Sequence, residues 1–184
     1  NPRKFADFKK LKYWLAPARR SLGVGGVDLY NGGMEHTTLH LLYSRFWHKF
    51  LYDLKLVPIS EPFAARRSHG VVLAEDGRKM SKSFGNVINP DEIVKNFGAD
   101  CLRMYELFLG PHEATVSWKS EGIMGISRFL ERVWKLFQET GSKNQEAGGT
   151  SSLTHKTIKK VTEDIETFHY NTAVSALMIL LNDL

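Results

Sequence analysis

A single cysteine, Cys101, in a chain of 184 residues excludes an internal disulfide and fits a reducing compartment. Long apolar runs are missing too: none reaches the roughly 18 to 20 residues that a membrane-spanning helix requires. The opening stretch "NPRKFADFKK" has no apolar signal core. These absences lead to the expectation of a cytoplasmic protein with no membrane partner. Acidic residues are the scarcer charged class, 20 against 25 Lys and Arg, for a net charge of +5. Such an excess admits an anionic partner without requiring one. No initiator Met opens the chain, and no Gly or Pro ends the apolar helical pattern of "ALMILLNDL". The sequence therefore reads as an excerpt of a larger protein.

What is present divides into an α/β part and a helical part, mostly helical overall. Residues 1–26 form an uncertain connector: "FADFKKLKYWL" has the look of a short amphipathic piece, and "APARRSLGVGG" is basic and turn-rich. Val27 to Tyr30 is expected as a short strand running into Gly32-Gly33. Leu39, Leu42, Phe46, Phe50 and Leu54 then recur at helical spacing, which predicts a helix over Glu35 to Leu54. "SHGVVLA", Ser68 to Ala74, is expected as a second strand. Strand, helix, strand is the parallel crossover unit of an open α/β sheet. In "NPDEIVKNFG", Asn89 is set to cap a helix with Pro90 in its first turn, Asp91 and Glu92 beside the positive end, and Gly98 as the stop. A further helix is expected from Ala99 to Leu109, before Gly110-Pro111. Helical spacing returns at Ile123–Phe137, Ile158–Phe168 and Val174–Leu184, with the polar linker "TGSKNQEAGGTSS" between the first two.

Two stretches carry chemistry. "DGRKMSKSFGN" concentrates positive charge, hydroxyls and glycines just after the aliphatic strand. Mobile ammonium groups at Lys79 and Lys82, small residues and a hydroxyl such as Ser81 are what a loop closing over a polyphosphate needs. The same composition also suits a solvated Lys/Ser turn. "LYNGGMEHTTLH" sets Glu35 just past a glycine turn at a strand end, where a carboxylate can meet ribose hydroxyls. His36 and His40, four apart on one expected helical face, are the alternative of a zinc site. Against it, the order is Glu-His-x-x-x-His and no third ligand is evident, so no metal is assigned. Arg128, Arg132 and Lys135 make a basic stripe diluted by Glu131 and Glu139, readable as a weak tRNA contact or as a solvated face.

Lys79-Met80-Ser81-Lys82-Ser83 matches, letter for letter, the KMSKS signature of class I aminoacyl-tRNA synthetases. From Val27 onward, "VDLYNGGMEHTTLHLLYSRFWHKFLYD", "HGVVLAEDGRKMSKSFGNVINPDEIVKNFGADCLRMY" and "RFLERVW" follow one another as they do in the bacterial, leucine-specific members of that class. The resemblance implies the second half of a Rossmann-like catalytic domain over 27–88, stem-contact helices over 89–120, and the truncated start of a helical anticodon-binding domain over 121–184. It implies an ATP site with Gly33, Glu35, His36, Val72, Leu73, Lys79, Ser81 and Lys82. Of these, Lys79 and Lys82 would be catalytic, and Tyr30 and His40 would wall the leucine pocket. ATP with Mg²⁺ is the implied substrate, with no bound cofactor. The implied partners are leucine, tRNA(Leu) and the remaining part of the synthetase, with no DNA. Asp100 and Arg103, one turn apart, are expected as a structural ion pair. The companion His-x-Gly-His motif and the inserted editing domain are absent from this sequence. The fragment itself is therefore expected to be inactive. The rival readings are a non-catalytic tRNA-binding module and a small metal- or nucleotide-binding regulator.

Overall fold

The computed structural model describes residues 5–15, 26–141 and 152–184, the side chains of 139–141 excepted. The connector expected at 16–26 lies, apart from Gly26, outside them, as does most of the polar linker. The chain forms two compact units, Asn1–Gly70 and Val71–Leu184. The expected class holds: short strands with a crossover helix, then helices.

In the first unit, helix α1 (Phe8–Leu15) starts where the Asp7 carboxylate accepts the amide protons of Lys9 and Lys10 at 3.0 and 3.3 Å. Strand β1 is Tyr30–Gly32, not Val27 to Tyr30; Val27 makes only an isolated bridge to Phe63. The expected helix from Glu35 is broken in two. A 3-10 turn spans Met34–Thr37, and α2 (His40–Asp53) begins only after Leu39, whose φ of −107° and ψ of −100° is non-helical. His36 and His40 therefore do not share one helical face. Strand β2 (Arg66–Ser68) lies parallel to β1, with Tyr30 opposite Arg66 and Gly32 opposite Ser68, which makes α2 the crossover. The helix ends in a left-handed turn at Lys55, φ +59°, closed by Lys55 N–H to Tyr52 O and Leu56 N–H to Leu51 O.

The polar face of α2 holds the return segment. Arg45 donates through Nε and Nη2 to Glu61 at 2.8 and 2.7 Å, Lys49 stands 3.0 Å from the same carboxylate, and a ring nitrogen of His48 bonds Ile59 O at 2.9 Å. The other stripe exists as expected, but Leu42, Phe46 and Phe50 on it are exposed among the described residues.

In the second unit the expected strand over Ser68 to Ala74 contributes only β3 (Val72–Leu73). It pairs in parallel with β4 (Val116–Ser117), a strand too short to show a period in the sequence. Helix α3 (Pro90–Phe97) is capped as expected, with Asn89 Oδ1 accepting from Asp91 N–H at 3.1 Å and Gly98 at its end. Then come α4 (Ala99–Phe108), α5 (Gly122–Gly141), α6 (Ser152–Thr167) and α7 (Tyr170–Asp183). Cys101, Leu102, Tyr105, Trp118, Ile123, Ile126 and Val174 form the core. Tyr105 meets Trp118 edge-on at 4.9 Å and donates its hydroxyl to Lys119 O at 2.5 Å. A Cβ on Gly122 would lie 2.7 Å from that hydroxyl, so the approach of α5 to α4 requires glycine there. The ion pair expected between Asp100 and Arg103 is not among those of the described residues. Ile158, Ile165 and Phe137, counted in the apolar stripes, are exposed.

The corner between α6 and α7 turns at Phe168, φ +66°, closed by His169 N–H to Asp164 O at 2.7 Å. The buried Asp164 carboxylate takes the Lys160 ammonium at 2.6 Å and the Thr172 hydroxyl at 2.8 Å. Lys160 above all, with Thr172, holds its carboxyl below the usual range.

The Arg45 guanidinium, with Lys49, holds the Glu61 carboxyl down at about 2 from an ordinary 4.5. A depressed carboxyl stabilises the folded state above its unfolded value and loses that contribution as pH falls toward the folded one. Glu61→Gln is expected to flatten the loss of stability between about pH 4.5 and pH 2. Urea midpoints of both proteins across that window measure it; parallel curves would remove Glu61 from the acid response.

Candidate active site

In the first unit, the glycine turn after β1 leads straight into the 3-10 turn, so Tyr30, Gly33, Glu35, His36 and His40 all lie where the strand ends. Gly33 is buried, with an ordinary backbone (φ −61°, ψ 155°), so its need is for space, not for a special conformation. A Cβ there would fall on the Glu35 carboxylate. The absence of a side chain at Gly33 lets Glu35 fold back over the turn. The turn itself is closed by His36 N–H to Gly33 O at 3.2 Å and by Thr37 and Thr38 hydroxyls donating to Met34 O and Glu35 O. His36 keeps its Nδ1 buried with no hydrogen-bond partner in the described residues. A buried polar atom without a partner carries a desolvation cost that a ligand can relieve.

Tyr30 and His40 come together. Their rings stack at 5.5 Å with planes 15° apart, and the Tyr30 hydroxyl lies 3.0 Å from His40 Nδ1. Phe63 and Tyr43 meet this pair edge-on, at 4.8 Å from Tyr30 and 5.4 Å from His40. The result is a half-buried aromatic wall at the end of β1. His40 thus spends Nδ1 on tyrosine, and among the described residues no group of three His, Cys, Asp or Glu is gathered as a metal site.

In the second unit, β3 feeds a tight turn. Gly77 adopts φ +75°, its N–H bonds Ala74 O, and Ala74 N–H bonds Arg78 O, so the chain doubles back and Leu73 bridges Lys79 antiparallel. On the other side Leu73 O accepts from Trp118 N–H at 2.9 Å, so that carbonyl is already engaged. The basic run then forms a 3-10 turn over Lys82–Phe84. Ser81 Oγ caps it by accepting from Ser83 N–H at 3.3 Å, and Gly85 ends it left-handed at φ +63°. Asn86 clips the loop: its Oδ1 accepts Ser81 N–H at 2.8 Å and its Nδ2 donates to Lys79 O at 3.4 Å. Met80 points the other way and packs on the core. The loop is fastened by its methionine and asparagine, while Lys79 and Lys82 stand exposed. No ion pair among the described residues uses either ammonium.

Sequence reasoning passed over Asp76, Arg78, Phe84 and Asn86. Asp76 Oδ2 accepts Nε and Nη2 of Arg78 at 2.9 and 2.7 Å, and the Arg78 guanidinium lies 5.2 Å from the centre of the Phe84 ring. The Arg78 backbone amide first, then its guanidinium, holds the Asp76 carboxyl below its usual range. Only the "GN" after the run hinted at a structured return. Of the basic stripe, Arg132 donates to Asn182 Oδ1 at 2.7 Å and Leu181 O at 3.2 Å, and Arg128 Nε to Met124 O at 3.3 Å; Lys135 is exposed.

A family model described as tRNA synthetases class I (I, L, M and V) matches residues 33–119, which take in Gly33, Glu35, both histidines and the whole basic loop. The full chain aligns at 52% identity with a leucine--tRNA ligase of Alkaliphilus oremlandii (strain OhILAs). Residues 33–119 belong to a class I tRNA synthetase domain. It spans 22% of the length of that ligase. Its structure matches, with a TM-score of 0.75 and 34% identity over 95% of this chain and 25% of the other, the LeuRS of Agrobacterium radiobacter K84 (agnB2), solved as a ternary complex with tRNA and LeuAMS. Within this synthetase segment, Tyr30 and the stripe at Arg128, Arg132 and Lys135 fall outside the span that the family model matches.

The Tyr30–His40 contact has a measurable weight. Tyr30→Phe keeps the stack and deletes the hydroxyl, and is expected to cost about 0.5 to 1.5 kcal/mol of stability. A urea midpoint lowered by that amount is the expected result; an unchanged midpoint would mean the hydroxyl does as well in water.

Proposed function

We propose that this chain is the part of a leucine--tRNA ligase that holds the second half of the ATP site, and that the full-length protein activates leucine with ATP and passes it to tRNA(Leu). The observation that carries this reading is the pair of exposed, unpaired lysines on a loop fastened from beneath. A triphosphate turning into a leaving group gathers negative charge, and compact ammonium groups on flexible stems can follow it. Attack of the leucine carboxylate on the α-phosphorus needs little beyond alignment and charge stabilisation. ATP enters as its Mg²⁺ complex, the usual form of a polyphosphate substrate.

Each residue then has a task. Glu35, folded over Gly33, accepts hydrogen bonds from the ribose hydroxyls, and the unpartnered Nδ1 of His36 meets the adenylate. Val72 offers backbone to the adenine, with Leu73 beside it but its carbonyl held by Trp118; Lys79 and Ser81 steady the phosphates, and Lys82 stabilises the departing pyrophosphate. Tyr30 and His40, held against each other, wall the leucine side chain. The helices from about residue 121 start the anticodon-binding domain, where Arg128 and Lys135 offer charge to tRNA phosphates. Arg132 takes part only by leaving Asn182. The protein works in the cytoplasm; no helix among the described residues is long and apolar enough to cross a membrane.

If Lys82 acts mainly in the transition state, its removal lowers kcat more than it raises KM. Lys82→Ala in the full-length protein is expected to slow leucyl-adenylate formation by roughly 100-fold in single turnover, with leucine affinity nearly unchanged. Lys82→Arg is expected to restore only part of the rate, because a planar fork does not replace a point charge. A normal rate with a raised KM for ATP would assign Lys82 to ground-state binding.

A further inference from the structure

Arg78 directly precedes the run that carries the two lysines, and its guanidinium is occupied on two sides. Asp76, in the tight turn, holds Nε and Nη2. Phe84, the last residue of the 3-10 turn that begins with Lys82, lies under the guanidinium at 5.2 Å. One side chain thus ties the hairpin after β3 to the turn that presents Lys82. The clip made by Asn86 reaches Lys79 and Ser81, on the near side of that turn. At its far end the turn has its own backbone bonds, Phe84 N–H to Ser81 O and Gly85 N–H to Lys82 O, and the Arg78 stack is what ties that end to the hairpin.

Phe84 stays 62% exposed with Arg78 against it, so little burial holds the ring in place. A cation over an aromatic face at an exposed site contributes little to global stability. It does restrict where the ring, and the turn bearing it, can stand. The Asp76 carboxylate meanwhile neutralises Arg78 at its own position, so the free positive charge of the loop is concentrated on the two lysines. Chemistry that depends on a charge within a fraction of an ångström of a leaving group is sensitive to such a restriction, even where folding is not.

We propose that Arg78, clamped by Asp76 and stacked on Phe84, is a positioning residue that sets where Lys82 stands relative to the hairpin. The proposal rests on the reading of this loop as the triphosphate-binding element. It predicts that Arg78 and Phe84 act as one unit, and that what they influence is rate, not leucine binding.

The experiment is a double-substitution cycle in the full-length protein, read by leucine-dependent ATP–pyrophosphate exchange with kcat and KM separated. Arg78→Ala and Phe84→Ala are each expected to lower kcat about threefold to tenfold, with KM for leucine and the thermal midpoint unchanged. The double variant is expected to be no worse than either single one, and Phe84→Tyr, which keeps a ring under the cation, to restore the rate. Multiplying defects in the double variant would overturn the unit. A raised KM for ATP in Arg78→Ala with normal behaviour of Phe84→Ala would also overturn it, because Arg78 would then be gripping phosphate itself. Lys82→Ala is run alongside. A large defect there with no effect at Arg78 or Phe84 removes the positioning role alone, whereas no defect at Lys82 removes the reading of the loop and this proposal with it.

Discussion

The second unit is organised by one hydrogen bond, from the buried Tyr105 hydroxyl to Lys119 O. It pins the chain just before α5 against α4 and leaves room there for nothing larger than Gly122. With Lys119 fixed, Trp118 lies edge-on to Tyr105 and its backbone N–H meets Leu73 O, which completes the β3–β4 ladder. Glu75 reinforces the same junction by accepting Ser120 N–H at 2.7 Å; the Ser120 hydroxyl first, then this amide, keeps its carboxyl below the ordinary range. The hairpin that bears the lysine loop springs from that ladder. The position of an exposed, charged loop thus traces back to an aromatic core contact.

Charge is sorted by the same economy of partners. Arg45, Lys49, Arg78 and Lys160 each meet a carboxylate: the first two reach from α2 to Glu61, Arg78 meets Asp76 within one turn, and Lys160 meets Asp164 along α6. Lys79 and Lys82, in contrast, are tied only through their main chain. Exposed ion pairs are individually weak, so leaving two lysines without one costs the fold little. For a site that receives a polyanion, it keeps the full charge available.

The elements with local signals were legible in the sequence. Asn89, Pro90 and Gly98 bracket α3 as their side chains and backbone freedom dictate, and the parallel pairing of β1 with β2 follows from the crossover. Strands of two or three residues carry no readable period, so one expected strand became parts of two and β4 went unseen. The break at Leu39 was hidden because the apolar spacing runs straight through it. In the candidate site, Tyr30 and His40 were named from resemblance and do meet in space. The Asn86 clip and the Asp76–Arg78–Phe84 chain were not legible, since they depend on how a loop folds back on itself and not on any pattern along it. Arg45 and Glu61, 16 residues apart, show the same limit.

Lys55 and Phe168 both close helices in a left-handed conformation without being glycine. Each is fixed by the pair of bonds around it; Lys55 is exposed, while the Phe168 ring also lies 5.4 Å from His112 and 5.6 Å from Tyr170. An exposed position is ordinarily the freest to drift among relatives. Here the backbone alone narrows the choice: glycine and asparagine remain open, while valine, isoleucine and threonine are shut out by their branched β-carbons. Variation at Lys55 is thus governed by main-chain geometry, and at Phe168 by that geometry together with its aromatic neighbours.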